Sequence, residues 1–343
     1  MFSSAPDEYR ALPKVDLHRH LEGSLRLQTM LEVARKHGMT IPASVVRLSR
    51  LVQVQDEDNL TFENFLAKFN TLRMFYRSPD VIDRITREAI EDAAKDNIRY
   101  LELRFTPVAL SRAERFPLHD VMDWVCASAK EGAKKFGVTV RLVASVNRHE
   151  SVELAEQVVW LSIDRRDKGI VGIDLAGNEA KFPAKPFASL FNEGRQAGLR
   201  TTIHAGEWSG PQNVREAIEH FSADRIGHGV RVLEDDYTTA LAREHGTPFE
   251  VCLTSNYQTG AVEALPKHPA PRMIASNLNV TFNTDDPSIS QITLGNEYRI
   301  AVEDLKIPLD VLKGRILAGA QASFLPDVEK KKLVDALKKE LSK

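Results

Sequence analysis

The stretch IVGIDLAGNEAKFPAKPFASLFNEGRQAGLRTTI, residues 170–203, decides the fold. It opens on one apolar run, Ile170–Leu175, and closes on another, Arg200–Ile203. Between them lies the amphipathic stretch Phe187–Gln196. An apolar strand, a helix and a second apolar strand make the unit that sets two parallel strands side by side and covers both faces. Outward from this unit the pattern repeats. Lys14–Leu17, Ile98–Phe105, Val138–Val146, Arg225–Gly227, Pro248–Leu253 and Asn279–Asn283 read as six further strands. Leu118–Phe136, Val152–Arg165 and Asp235–His245 read as helices between them. Eight such strands predict an α/β fold closed into a (β/α)8 TIM barrel, in preference to an open doubly wound sheet.

Two regions depart from the even spacing. No strand pattern appears between Gly23 and Asn97, where Leu25–His37, Phe62–Tyr76 and Pro79–Asp96 read as helices. A first βα segment this long is expected to be functional, as a lid or a substrate wall. The tail, Leu305–Lys343, reads as two extra C-terminal helices, opened by Pro308 and Pro326 in their first turns. Its charge runs, Glu329–Lys332 and Lys338–Lys343, read as a solvated face. No linker, repeat or low-complexity tract divides the chain, so residues 1–343 are expected to form one domain.

Composition narrows the function classes. The chain has 343 residues, 46 Lys+Arg, 48 Asp+Glu and a formal net charge of -2. That balance provides no broad basic field, which argues against nucleic acid as a partner. The two cysteines, Cys126 and Cys252, cannot form a disulfide framework and suit a reducing compartment. The start, Met1 to Glu8, carries an acidic pair and no apolar core, unlike a signal peptide. No apolar run approaches the ~20 residues that a bilayer requires. The expectation is a cytoplasmic protein with no membrane partner.

Four motifs carry chemistry, and all fall at the C-terminal ends of predicted strands, where barrel active sites lie. In Val15-Asp-Leu-His-Arg-His20, alternate residues of an extended chain share a face, so His18 and His20 present two imidazoles together. Thr201-Thr-Ile-His-Ala-Gly-Glu207 ends a strand in His204, a third ligand candidate. Glu207 follows where a buried carboxylic acid would hold its proton and donate it. In Arg225-Ile-Gly-His-Gly229 the flanking glycines let backbone approach a ligand closely, and His228 reads as an acid or base beside the metal. In Asn283-Thr-Asp-Asp-Pro287, a cation on one of the adjacent carboxylates Asp285 and Asp286 relieves their repulsion, and the other is left for substrate. Three histidines and one aspartate, without thiolate, favour a single Zn2+, with iron, cobalt or manganese as other candidates. His37, His119, His149, His220, His245 and His268 read as structural or surface histidines, and Trp124 and Trp160 as core.

These motifs resemble a known family. His18-Arg-His-Leu-Glu-Gly-Ser24, Gly172-Ile-Asp-Leu-Ala-Gly-Asn-Glu179, His204-Ala-Gly-Glu207, Ile226-Gly-His-Gly229, Cys252-Leu-Thr-Ser-Asn256 and Asn283-Thr-Asp-Asp-Pro287 occur in the order of the adenosine deaminase family, within the metal-dependent amidohydrolases. The resemblance runs from about Leu12 to about Pro326. It implies that His18, His20, His204 and Asp285 hold zinc. It implies that Glu207 protonates purine N1 and that His228 orients the attacking hydroxide and helps take up its proton. Asp286 then contacts the N7 edge and the attacking oxygen, and the backbone amide of Gly177 meets N3. His20 also faces the substrate. The implied reaction is hydrolytic deamination at C6 of a purine nucleoside, adenosine or 2'-deoxyadenosine, to the 6-oxopurine and ammonia.

The ribose end departs from the pattern. Many members carry Asp where this chain has Glu22, whereas adenine-specific members often carry Glu, as do some nucleoside-type members. Thr106 stands where the family usually places a ribose-contacting Ser, and its hydroxyl serves the same purpose. Adenine, or a 5'-modified adenine nucleoside such as aminodeoxyfutalosine, is therefore an alternative substrate. Two other classes were weighed. A two-metal amidohydrolase needs a bridging group near the end of the fourth strand, where Glu179 and Lys181 are the nearest candidates. An inactive binding relative is disfavoured by the intact motifs. The sequence leaves the oligomeric state open.

Overall fold

The computed structural model describes residues 6–342. Among these residues eight strands follow one another in chain order around a barrel: β1 Lys14–His20, β2 Ile98–Phe105, β3 Thr139–Asn147, β4 Ile170–Ala176, β5 Arg200–Ala205, β6 Arg225–His228, β7 Pro248–Val251 and β8 Asn279–Phe282. Each is parallel to the next. The last motif joins β8 to β1. Asp285 N–H donates to the His18 carbonyl at 2.7 Å, and His20 N–H donates to the Asp285 carbonyl at 2.8 Å. Leu17 N–H donates to the Asn283 side chain at 2.8 Å, and the Thr284 hydroxyl donates to Asp16 at 2.7 Å.

The strands differ from expectation mainly at their C-terminal ends. β1 runs on through His20, β5 through Ala205 and β6 through His228. The reason is lateral pairing: His20 is in register with Arg104, and Ala205 with His228. The motif histidines are thus strand residues, held by ladder hydrogen bonds. β7 stops earlier than expected, because Leu253–Gln258 turns helical at once.

Barrel interiors are commonly filled by branched aliphatic side chains. Here one interior layer is charged. Glu102, Arg104, Asp174, Arg225 and Glu250 are wholly buried. Arg225 pairs with Glu102 and Glu250. Arg104 pairs with Glu250 at 2.8 Å and lies 3.4 Å from Asp174. Glu250 also accepts from the Thr202 hydroxyl at 3.0 Å. Burial opposes its ionisation, but the two guanidiniums and His18 hold its carboxyl well below the usual carboxylate range.

The first βα segment holds four helices, Leu27–Lys36, Val45–Val52, Phe62–Leu72 and Pro79–Lys95, with a 3-10 turn at Arg73–Phe75. Thr61 caps the third, accepting from Asn64 N–H, and Ser78 caps the fourth, with Pro79 in its first turn. The fourth helix buries Val81, Ile82, Ile85, Ala89 and Ile90, spacings that gather on one helical face. In the tail, Pro308 and Pro326 sit just ahead of the helices Leu309–Ala322 and Asp327–Leu341, at their caps. Its charge is partly engaged: Glu329 pairs with Arg141, and Glu340 with Arg99 at 2.8 Å.

Trp160 corrects the core reading. It is 54% exposed, because the helix Val152–Ile163 turns Ala155, Val158 and Val159 inward and leaves position 160 outside. Trp124 is partly buried, edge-on to Phe116 at 5.2 Å. No helix of the described residues is long and apolar enough to cross a membrane. Met1–Ala5, most of the segment read against a signal peptide, and Lys343 of the tail charge run lie outside the described residues.

The charged layer predicts a stability effect. Glu250→Ala strips Arg104 and Arg225 of a shared buried partner, which is expected to cost about 3–5 kcal/mol of unfolding free energy. Urea titration of the two proteins measures it. A loss below about 1 kcal/mol would mean that the arginines are satisfied without Glu250.

Candidate active site

The four motifs converge at the C-terminal mouth of the barrel. His18 and His20 stand 5.3 Å apart by ring centroid, and His204 is 4.7 Å from His18. Asp285 Oδ1 lies 3.4 Å from Nε2 of both His18 and His20. Ring nitrogens of His18, His20 and His204 fall within 4.8 Å of one another, as do the donor atoms of His18, His228 and Asp285.

This donor set fits a metal ion. His18 Nε2 is buried with no hydrogen-bond partner, an arrangement costly for a polar atom unless something binds it. The outer nitrogens of two histidines rest on carboxylates: His18 Nδ1 on Glu250 at 2.8 Å and His204 Nδ1 on Asp174 at 2.9 Å. Such partners fix the tautomer and turn the Nε2 lone pair toward the centre. Burial holds His20 well below the usual histidine pKa, so its ring is neutral. Asp285 resists ionisation by burial, but His18 keeps its carboxyl well below the usual range.

Backbone strain aims two of these side chains. His228 has φ 60° and Asp285 φ 63°, the left-handed region that bulky residues seldom enter. At Asp285 the strain is held by hydrogen bonds to β1 on both sides of the residue. Gly23 serves a steric purpose. A Cβ there would lie 1.8 Å from Asp286 Oδ1, so only glycine leaves room for Asp286 beside β1.

Glu207 is buried, with Oε2 3.6 Å from His228 Nε2 and Oε1 3.3 Å from the Thr259 hydroxyl. Burial, then the charges of Asp285 and Glu179, push its pKa well above the usual carboxylate value. Its loop is folded around Glu179. That carboxylate accepts the backbone N–H of Gly206, Glu207, Trp208 and Ser209 at 2.6–2.9 Å and the Asn213 amide at 2.8 Å. Both its oxygens are thus committed, and Lys181 is exposed, so neither offers a bridge for a second metal.

His228 is oriented by a chain of groups. Ala270 N–H donates to His268 Nδ1 at 3.1 Å, which leaves the hydrogen on Nε2 to face Asn256 Oδ1 at 3.3 Å. The Asn256 amide then donates to His228 Nδ1 at 3.0 Å. His228 accordingly carries its hydrogen on Nε2, toward Glu207 and Asp285. Burial keeps this ring neutral too.

The chamber beside the cluster is lined by Glu22, Thr106, Asn147, Gly177 and Asp286 and walled by Phe65, Leu66, Phe69 and Trp208. Trp208 stacks on Phe62 at 4.9 Å. The free space is about 70 Å³, well under the several hundred Å³ of ordinary ligand clefts. Glu22 Oε1 accepts from Thr106 N–H at 2.8 Å, while Oε2 is buried without a partner. The backbone of Thr106, not its hydroxyl, meets Glu22. A larger cleft of about 1320 Å³ opens at the opposite end of the barrel, by Arg141, Arg200 and Phe324, and contains none of the motif residues.

The family model described as adenosine deaminase matches residues 13–340. The chain belongs to the adenosine deaminase family. An adenosine deaminase of Shigella flexneri serotype 5b is 36% identical over 324 residues, covering 94% of this chain and 96% of that one. Among solved structures, an adenine deaminase from Arthrobacter aurescens superposes with a TM-score of 0.89 at 26% identity, over 97% of this chain and all of that one. The Arabidopsis N6-mAMP deaminase gives 0.86 at 27%, with the same coverage. This protein is a hydrolytic deaminase of the adenine type.

For a member of the adenosine deaminase family, the structure brings the motif residues His18, His20, His204, Glu207, His228, Asp285 and Asp286 to one chamber, and sequence reasoning missed the groups behind them. Asp174 and Glu250 orient the histidines, Glu179 shapes the acid's loop, and Asn256 with His268 sets the His228 tautomer. His268 had read as merely structural. One signal was present: a carboxylate inside an apolar strand, as at Asp174 and Glu250, is costly unless paired.

Asp174→Asn is expected to weaken metal binding 10–100-fold, as removal of such an outer partner does. Competition with a chelator measures it, and unchanged affinity would show that His204 is oriented by other means.

Proposed function

We propose that this protein deaminates adenosine and 2'-deoxyadenosine to the corresponding inosines and ammonia, with one Zn2+ held by His18, His20, His204 and Asp285. The observation that carries this reading is Glu207, a carboxyl buried beside His228 at the edge of a three-histidine, one-aspartate cluster, where burial pushes its pKa up. Nitrogen and carboxylate donors without thiolate favour zinc. When bound, the ion supplies a nucleophile by lowering the pKa of water to ~7.

The side chains do the rest. Glu207 donates its proton to purine N1, which draws electron density from C6 and makes it electrophilic. His228 orients the attacking oxygen through Nε2–H, and the tautomer set by Asn256 favours this donor role over that of a base. Asp286 has a buried Oδ1 without a partner. Burial and the charge of Asp285 raise its pKa well above the usual value, so it offers a proton to N7. The Gly177 backbone, at φ 94°, turns toward N3. His20 faces the substrate from the chamber side. The C6–O bond forms first, giving a tetrahedral C6 that carries both OH and NH2. The hydroxyl proton then passes by way of the active-site carboxylates to N6, the C6–N6 bond breaks, ammonia leaves and the 6-oxo group forms. Glu22 Oε2 and Thr106 are placed for the ribose hydroxyls. Glu22, in place of the commoner Asp, and the likeness to an adenine deaminase support adenine or a 5'-modified nucleoside as the second reading.

We place the protein in the cytoplasm, where its buried free thiols Cys126 and Cys252 suit a reducing medium. We take it as one domain acting on a small molecule, without nucleic acid.

The test is deamination of adenosine, 2'-deoxyadenosine and adenine, followed by the ultraviolet change on zinc-loaded protein. Adenosine preferred over adenine upholds the proposal, and the reverse selects the second reading. Glu207→Gln should retain zinc and lose 10²–10⁴ in kcat; a loss below tenfold would remove Glu207 as the acid. His18→Ala should lose metal and turnover together.

Glu207 acts in its protonated form and its pKa is raised. Activity is therefore expected to hold through neutral pH and to decline as pH rises through that value. A pH profile of kcat/KM measures this, and the same decline persisting in Glu207→Gln would assign it to another group.

A further inference from the structure

One cation in the chamber has no part in that chemistry. Arg73 opens the 3-10 turn that ends the helix Phe62–Leu72, and it is the sole arginine or lysine among the lining residues. Phe65, Leu66, Phe69 and Arg73 fall at helical spacings, so one face carries three apolar side chains and then a guanidinium.

Among the described residues, Arg73 has neither an ion pair nor a hydrogen bond from its side chain. It lies over the Phe69 ring at 5.5 Å, and its Nε is buried without a partner. The neighbouring arginines are engaged. Arg77 pairs with Glu114 at 2.7 Å, and Arg148 donates to the carbonyls of His204 and Phe182.

Its charge reaches Glu22, Tyr76 and His149. The charges acting on Glu207 are instead Asp285 and Glu179. Arg73 and Glu22 line the same chamber, and the charge of Arg73 bears on Glu22 while it is not among those acting on Glu207.

A partly desolvated guanidinium without a partner is unfavourable, and its planar fork matches a carboxylate or phosphate. Glu22 does not fill that role: Oε1 is taken by Thr106 N–H, and Oε2 has no hydrogen bond. The other charged lining groups, Glu22, Glu207, Asp285 and Asp286, are acids. Apart from the metal that the histidine cluster would hold, Arg73 is the cation in this lining that an anion can meet.

The geometry points to an anion subsite at Arg73, so that the preferred substrate is an adenine nucleoside bearing a negatively charged group, phosphate or carboxylate, at its 5' position. This inference rests on the purine deamination proposed above and narrows its substrate class. Phe65, Leu66 and Phe69 cover the sugar, and Glu22 Oε2 takes a ribose hydroxyl.

The test uses zinc-loaded full-length protein in two parallel assays. Turnover is measured on adenosine, adenosine 5'-monophosphate and adenosine-5'-carboxylic acid. Binding is measured by calorimetry with inosine, inosine 5'-monophosphate and inosine-5'-carboxylic acid, which needs no catalysis. At least one anionic compound is expected to exceed its neutral parent by tenfold or more in kcat/KM and in affinity. Phosphate leading or carboxylate leading identifies the source of the charge.

Arg73→Met keeps the length over Phe69 and should reduce the anionic-to-neutral ratio at least tenfold, through KM. Arg73→Lys should restore part of it. Added salt should erode the ratio in the wild type alone. A ratio at or below one, or a ratio unchanged in Arg73→Met, overturns the subsite. Failure of every nucleoside to turn over would defeat the deamination reading, while the calorimetric ratio would still decide on Arg73.

Discussion

Glu250 is the interaction on which the site depends. Its carboxylate lies inside the barrel and meets Arg104, Arg225, Thr202 and the outer nitrogen of His18 at once. A buried carboxylate is stable only when its charge and lone pairs are matched, and here each partner comes from a different strand. The same contacts that settle Glu250 therefore set the register of β1, β2, β5 and β6 around it. His18 inherits its orientation from this match. Asp174 does the same for His204 from β4. The layer beneath the mouth of the barrel is ionic, and its carboxylates hold the ligand histidines in place.

Strain and sterics then place what the charged layer does not reach. His228 and Asp285 both adopt left-handed backbone conformations, which their hydrogen-bonded neighbours hold in place. Glu179 gathers four consecutive backbone N–H groups. The loop after β5 is thus a ring around a carboxylate, and Glu207 projects from it into a dry pocket beside two other acids. Its raised pKa follows from position. Gly23 and Asp286 show the same economy across the β8–β1 seam, where a missing Cβ makes room for a carboxylate.

The long first segment supplies what a bare barrel lacks, a roof. Its third helix sets Phe65, Leu66 and Phe69 over the chamber and leaves little free space beneath. So narrow a chamber favours hydrogen-bonded acid–base work.

The amino-acid sequence by itself determined the eight-stranded barrel and marked the histidine and carboxylate motifs at the ends of its strands. Both are local signals: apolar runs at regular intervals, and histidine or carboxylate at the last positions of those runs. It also marked the first segment as a wall. It did not disclose the groups behind the site, because their partners are remote. His18 meets Glu250 across 232 positions and His204 meets Asp174 across 30, and no local pattern says which inward residues of closed strands will face each other. Nor did it show Arg73 unpaired, or Trp160 turned outward. Those are decided only when closure of the barrel assigns every buried polar atom a neighbour, or leaves it without one.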